Sequence, residues 1–255
     1  MSSHDGAVHP RLLLVALSYL TRLPTGQSGR DDDESARAVA LFSLIGALLG
    51  GVAAFAFWAT SLAFSPASAA VIAVGVTVLL TGTQPDGGMA RAAQAVTRVA
   101  TPSQRVSAIG HTLDGPGTLT LIITVLLRVA LLAELAPVPG AVALVATGAI
   151  SRGVVPAALL GSVPVGTRSL HTLLLRNLRP IPVAVALVGA IAICAPLLRL
   201  WTPAVVGAAI LAALAVRAIA VRRFAGIPAG AIGAVVIITE IVSLALMVGT
   251  GAIAD

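Results

Sequence analysis

Three carboxylates and a few arginines stand where phosphate chemistry would need them. Asp86 belongs to the run Thr81-Gly82-Thr83-Gln84-Pro85-Asp86-Gly87-Gly88-Met89-Ala90-Arg91. An Asp-Gly opening a helix can offer one carboxylate to a divalent cation that bridges to a phosphate, or it can simply cap that helix. Asp114 stands in His111-Thr112-Leu113-Asp114-Gly115-Pro116-Gly117. There it could be a second metal ligand, with His111 as a proton shuttle; a plain turn before an apolar helix accounts for the same residues. Arg152, in Ser151-Arg152-Gly153, lies within an apolar run. An arginine inside a membrane helix marks a functional site by default, unless it reaches out to the headgroups. Arg222 and Arg223 precede a Gly/Pro-rich turn and a helix start, which suits a phosphate or diphosphate or a topology anchor. Glu240 falls in the middle of the next apolar run and needs a partner or a proton there. Arg128 and Glu134 are six residues apart, so they are not a helical i,i+4 pair, and no role is assigned to them. The run Arg30-Asp31-Asp32-Asp33-Glu34 reads as a solvated loop and the charge cluster of a helix N-terminus rather than as a metal site.

The elements that must position these residues are membrane helices. Of 255 residues, 58% are hydrophobic and only 10% charged, against roughly 25% charged in an average soluble domain. Mean hydropathy is +1.02. One water-soluble core could not hide that much apolar surface, so a soluble enzyme, a disordered chain and a secreted disulfide scaffold are all excluded. The fold class expected is all-α, a polytopic membrane helical bundle forming a single integral domain over residues 1–255. All 16 basic residues are arginine, and with 10 acids the net charge is +6. The arginines are dispersed singly with almost no aromatic interleaving. They suit topology determinants and contacts to anionic headgroups or phosphates, and no nucleic-acid partner is expected. Cys194, the single cysteine, lies in an apolar run and reads as inert packing.

Charge spacing divides the apolar mass. Residues Ala38 to Pro85 contain no charge, a stretch of 48 residues; one crossing needs about 20, so two spans are expected, broken near Ser65-Pro66-Ala67-Ser68. Further spans follow at about Thr118–Leu135 and Ala141–Leu160, on either side of Arg199, and at about Ala231–Val248. The total is about seven. Leu12–Leu20 is too short to cross and is expected to be an interfacial or re-entrant helix ending at Pro24. Thr-Arg-Leu-Pro follows it where a signal peptide would carry small residues, so no cleavable signal is expected. No internal repeat is apparent. With the N-terminus inside, nearly every loop arginine falls on the cytoplasmic side and essentially only Arg199 outside. That asymmetry predicts a multi-pass protein of a bacterial or archaeal cytoplasmic membrane with its site facing the cytosol.

Five blocks of residues resemble one family. Leu17-Ser18-Tyr19-Leu20-Thr21-Arg22-Leu23-Pro24 is similar to the N-terminal L-S/Q-F-L-T-R-L-P signature of the membrane-bound cobalamin synthases, the adenosylcobinamide-GDP ribazoletransferases. Phe42–Gly50, Leu79–Gly87, Ile150–Gly153 and Arg222–Glu240 resemble four further blocks of that family, in its order and spacing. The resemblance implies a Mg²⁺-dependent transferase that joins α-ribazole, or its phosphate, to adenosylcobinamide-GDP and releases GMP. It implies catalytic roles for Asp86, Asp114, Arg152 and Glu240, with Mg²⁺ on Asp86 and Asp114. Substrate contacts would fall to Arg22, Arg91, Arg222 and Arg223. A homo-oligomer or other corrin-assembly enzymes are the protein partners such a family suggests.

The chain also departs from the pattern. The family places three carboxylates at i, i+4 and i+7; this chain has Asp86, then Ala90 and Ala93. Gln84 replaces a histidine, and Ala229-Gly230 replaces Gly-Asp. Two other functions therefore stay open beside the transferase. One is a non-catalytic relative serving as a membrane subunit or carrier. The other is a CDP-alcohol phosphotransferase-like enzyme, suggested by Asp86-Gly87 and Ala90-Arg91 alone.

Overall fold

The computed structural model describes residues 10–21, 32–98, 100–108, 113–166 and 174–253. Eleven helices account for most of the described residues: α1 (Pro10–Leu20), α2 (Asp32–Ala38), α3 (Phe42–Ser61), α4 (Pro66–Leu80), α5 (Gln84–Thr97), α6 (Pro102–Ala108), α7 (Gly115–Ala133), α8 (Pro137–Leu159), α9 (Pro180–Leu198), α10 (Thr202–Phe224) and α11 (Ala229–Thr250). Two-residue strands β1 (Pro164–Val165) and β2 (Ile227–Pro228) pair in parallel and tie the segment after α8 to the turn before α11.

Five helical stretches among the described residues are long and apolar enough to cross a bilayer, and the bent pair α4–α5 makes a sixth. The longest, Pro180–Phe224, is a hairpin. A Cβ added at Gly153 of α8 would meet the Ala186 carbonyl and the Ala190 side chain, and Cys194 Sγ donates to the Ala146 carbonyl at 3.7 Å. So α9 runs antiparallel to α8. Farther on, Arg217 donates to the Ala158 carbonyl at 3.2 Å, which means α10 climbs back along α8. The reversal lies at a 3-10 turn, Arg199–Trp201, where Arg199 adopts φ 48°. Its two arms correspond to the expected fifth and sixth spans, and counting them separately brings six crossings to seven.

The second span differs from expectation. Helix α4 stops at Leu80, and α5 leaves it at 88°. Gly82 and Thr83 make the bend with φ of 60° and 62°. Glycine takes this left-handed conformation freely, whereas a β-branched threonine does so at a cost. The polar stretch expected between the second and third spans is itself helical in part, as α5 and α6.

Helices α3 and α8 form the closest crossing. A Cβ at Gly46 would overlap the Gly148 carbonyl, and one at Gly50 the Leu144 carbonyl. Small residues let the two backbones approach, the usual means of packing membrane helices in the absence of a hydrophobic drive. On α3 the core side chains Phe42, Ile45, Leu49, Ala53 and Phe57 recur every three or four residues, while Leu44, Leu48, Val52 and Phe55 are exposed. That exposed apolar face is the lipid-facing one of a bilayer helix. Helix α1 is too short to span; it buries Val15, Ala16 and Tyr19. Tyr19 packs near Phe42, with ring centroids 6.3 Å apart, and its hydroxyl donates to Ser35 Oγ at 3.0 Å. In α2, Asp33 pairs with Arg37 and Arg179, and Glu34 with Arg11. The described part of the acidic run thus joins neighbouring segments instead of lying in an open loop.

Candidate active site

Far-separated segments meet around one cavity of about 350 Å³. Tyr19 and Leu20 come from α1, Phe42 from the start of α3, and Thr83, Gln84 and Pro85 from the bend into α5. Arg152 reaches it from α8; Gly230 and Gly233 line it from the first turns of α11. Each belongs to a different one of the five blocks picked out in the sequence. Glycine is needed on two of these walls. A Cβ at Gly233 would collide with the Pro85 carbonyl at 2.5 Å, and one at Gly88 would press on the Gly230 carbonyl at 3.2 Å. This close approach brings the N-terminal turns of α5 and α11 side by side.

Among the described residues, the charged ones lining the cavity are Arg91 and Arg152. Arg91 is half-buried, and its guanidinium folds over Gly87, where a Cβ would come within 3.2 Å of Nη1. Arg152 is 3% exposed. Its Nη1 donates to Ser151 Oγ at 2.7 Å and to Glu240 Oε1. Its Nη2 is buried with no hydrogen-bond partner among the described residues.

Behind Arg152 lies a four-residue charge network. Asp86 accepts from Arg128 Nη2, and Glu240 is shared between Arg152 and Arg128, the latter at 3.4 Å. All four are at most 7% exposed. A small void of about 40 Å³ touches Arg128, Arg152 and Glu240. Two acids and two arginines give the network zero net charge, and pairing is what allows ionised groups to stay buried among membrane helices. It links α5, α7, α8 and α11 through side chains alone. Glu240 has the partner that its position demanded, and Arg152 points inward to the protein, not outward to headgroups. Asp86 is not the N-cap of α5: that position is Thr83, without a side-chain cap, while the Asp86 carboxylate, in the first turn, accepts from Arg128 and from its own amide.

The structure keeps other candidates away from this centre. Asp114 caps α7, accepting from the Gly117 amide at 3.5 Å, and pairs with Arg98 at 2.9 Å. Its own amide donates to Gln94 Oε1 at 2.8 Å. Gln94 lies eight residues beyond Asp86 on α5, about 12 Å along the axis, so Asp86 and Asp114 do not share a site. Arg222 and Arg223 are exposed at the end of α10, outside the cavity, where the Arg223 carbonyl accepts from Arg105. Arg22 and His111 lie outside the described residues. Ala90, at a position where the family carries an acid, is fully buried, and its carbonyl lies near Gly117 of α7.

Sequence reasoning missed Arg128. The signal was present, since a lone arginine 13 residues into an apolar helix is as costly as Arg152. Its partners come from α5 and α11, which spacing within α7 does not reveal.

Comparison with known proteins bears on the same residues. The Cobalamin-5-phosphate synthase family profile matches residues 12–248. An adenosylcobinamide-GDP ribazoletransferase of Ralstonia pickettii is 35% identical over 158 residues, covering 60% of this chain and 61% of the relative. One of Shewanella amazonensis is 34% identical over 127 residues, 49% of each. The alignments thus span between about half and three fifths of these curated relatives. No solved structure matches the chain. The profile runs through all five blocks that converge on the cavity, and by that match the chain belongs to the cobalamin-5-phosphate synthase family.

Proposed function

We propose that the protein is a membrane transferase that joins α-ribazole, or its phosphate, to adenosylcobinamide-GDP with release of GMP. The observation that carries this reading is the meeting of the five blocks at a cavity whose charged lining, among the described residues, is two arginines. Relatives bearing the transferase name match the chain over about three fifths or less of its length. In this reaction a ribose hydroxyl attacks the phosphorus attached to the cobinamide. The new P–O bond forms as the bridging bond breaks, the bridging oxygen leaves with GMP, and the hydroxyl proton passes to solvent. Arg152 and Arg91 are placed to neutralise the charge on the diphosphate oxygens. Asp86 and Glu240 act on the guanidinium groups, holding Arg128 and Arg152 in place. The arginine-rich helix ends face the cytosol in this reading, in a bacterial or archaeal inner membrane.

A resident Mg²⁺ on Asp86 and Asp114 is the cofactor that the resemblance implied. The donor set speaks against such an ion. Asp86 is held by Arg128 and Asp114 by Arg98 two turns away. Among the described residues no cluster of three or more His, Cys, Asp or Glu could hold a metal. No step is therefore assigned to a protein-held cation.

Purified protein in liposomes, supplied with Mg²⁺, adenosylcobinamide-GDP and α-ribazole, should release GMP above an empty-liposome control. Absence of turnover with either α-ribazole or its phosphate would overturn the transferase reading. A second reading rests on Ala90, Ala93 and Gly230, which stand where the family carries acids. On that reading the chain is a membrane subunit or carrier that binds the substrate without turning it over. Retention of adenosylcobinamide-GDP with no GMP released would support it.

A further inference from the structure

Nη2 of Arg152 is buried and has no hydrogen-bond partner among the described residues. A guanidinium N–H buried without an acceptor costs free energy, and this one sits on a residue that lines the 350 Å³ cavity. The rest of Arg152 cannot turn away, because Nη1 is fixed by Ser151 and Glu240. Glu240 is in turn braced by Arg128, and Arg128 by Asp86. Arg91, with no ion pair among the described residues, supplies a second cation on the same wall. The first turns of α5 and α11 complete the wall with Gln84, Pro85 and Gly230. On α5 the first-turn amides are already committed, since Gln84 and Gly87 donate to the Thr81 and Thr83 carbonyls and Pro85 has no N–H. First-turn amides lack intrahelical acceptors, and broken membrane helices commonly present such ends to anionic ligands, which leaves the α11 end for that role.

We propose that this cavity is an anion site for a phosphate or diphosphate that works without a resident divalent cation. Arg152 Nη2 and Arg91 take the place that a carboxylate-held metal would fill. The proposal rests on the transferase reading for its natural ligand, but the site can be tested without turnover. Charge accounts for the exchange. A dication entering between Asp86 and Glu240 would have to displace guanidinium groups already seated there, leaving two buried arginines facing an added double charge. The alanines at 90 and 93 supply no further carboxylate to offset that charge. An anion entering the cavity meets the opposite situation, since the charged side chains lining it among the described residues are Arg91 and Arg152.

The test is pyrophosphate binding to the full chain in lipid-free detergent, by calorimetry, with EDTA and with Mg²⁺. Binding in EDTA within about threefold of that in Mg²⁺ supports the proposal, and binding seen only with Mg²⁺ overturns it. Arg91→Gln, which breaks no ion pair among the described residues, should weaken binding about tenfold or more. Unchanged affinity in that variant places the anion elsewhere and refutes the site. Arg152→Lys keeps the charge but withdraws Nη2, and should also weaken binding while melting near the parent temperature. Arg199→Gln, at the far end of the hairpin, should bind as the parent does. Nanodiscs of phosphatidylcholine and of phosphatidylglycerol separate the two sources of phosphate. Equal pyrophosphate affinity in both assigns the site to a soluble diphosphate; competition confined to phosphatidylglycerol assigns it to a lipid headgroup. No pyrophosphate binding in any medium overturns the proposal whether or not GMP is released. Binding without GMP release leaves the anion site standing and removes only the transferase.

Discussion

Arg128 shows why a buried charge has to be read with its partners. Alone, an ionised arginine in the middle of α7 would carry a desolvation cost of several kcal/mol. Paired with Asp86 and Glu240, it closes a neutral network instead. Removing one member leaves an opposite charge uncompensated. Arg128→Met should therefore lower unfolding stability in detergent by about 3–5 kcal/mol. Asp86→Leu alone should cost a similar amount. The double variant Asp86→Leu with Arg128→Met should cost clearly less than the sum, since both buried charges then go together while Glu240 keeps Arg152. Thermal unfolding of the four proteins measures the coupling, and additive costs would mean that the pair does not interact. Surface pairs such as Arg37–Asp33, 60% and 36% exposed, should contribute little by comparison.

At the scale of elements, the site depends on two close backbone approaches. One is the α3–α8 crossing at Gly46 and Gly148, which sets where Arg152 stands one turn farther along α8. A leucine at position 46 has no space, because its first carbon already overlaps the Gly148 carbonyl. Gly46→Leu should destabilise the protein by about 1–3 kcal/mol or more through overpacking. An unshifted melting transition would show that the two helices can separate without loss. The other approach is the contact of α5 with α11 at Gly88 and Gly233. It is made possible by the 88° break after α4, whose signal in the sequence was Thr81-Gly82-Thr83 followed by Pro85. Those residues were legible as a turn. Their consequence, a helix N-terminus turned into the protein toward α11, was not, because nothing local states where a bent helix will dock.

At the scale of the whole molecule, the arginines sort to one end. Arg98, Arg105 and Arg223 are joined there by hydrogen bonds from Arg105 to the carbonyls of the other two. Arg199 sits at the opposite turn between α9 and α10. This is the distribution expected of helices oriented by the positive-inside tendency. In a Cys194→Ser background, cysteines replacing Arg98 or Arg222 should react with an impermeant maleimide only from the cytoplasmic side, and one replacing Arg199 only from the other. Labelling of positions 98 and 199 from the same side would contradict the hairpin and the crossing count with it. The exposed leucines, valines and phenylalanines of α3, α7 and α9 need no partner protein on this view. They meet lipid.

Membrane residence, the order of the helices and the end at which the arginines gather were determined by the sequence alone. Each follows from one-dimensional quantities: the length of an apolar run, the distance between charges, and the side on which the positive ones fall. The five blocks likewise marked the residues that line the cavity, though not the cavity itself. Tertiary structure alone decided which charges meet. Asp86 and Asp114 are 28 residues apart and look like a pair, yet they face different partners. Asp86, Arg128, Arg152 and Glu240 are scattered over 155 positions and form one network. The physical reason is that a buried charge must be matched wherever the helices bring an opposite one within reach. In a bundle of antiparallel helices that neighbour is set by depth in the membrane, not by distance along the chain.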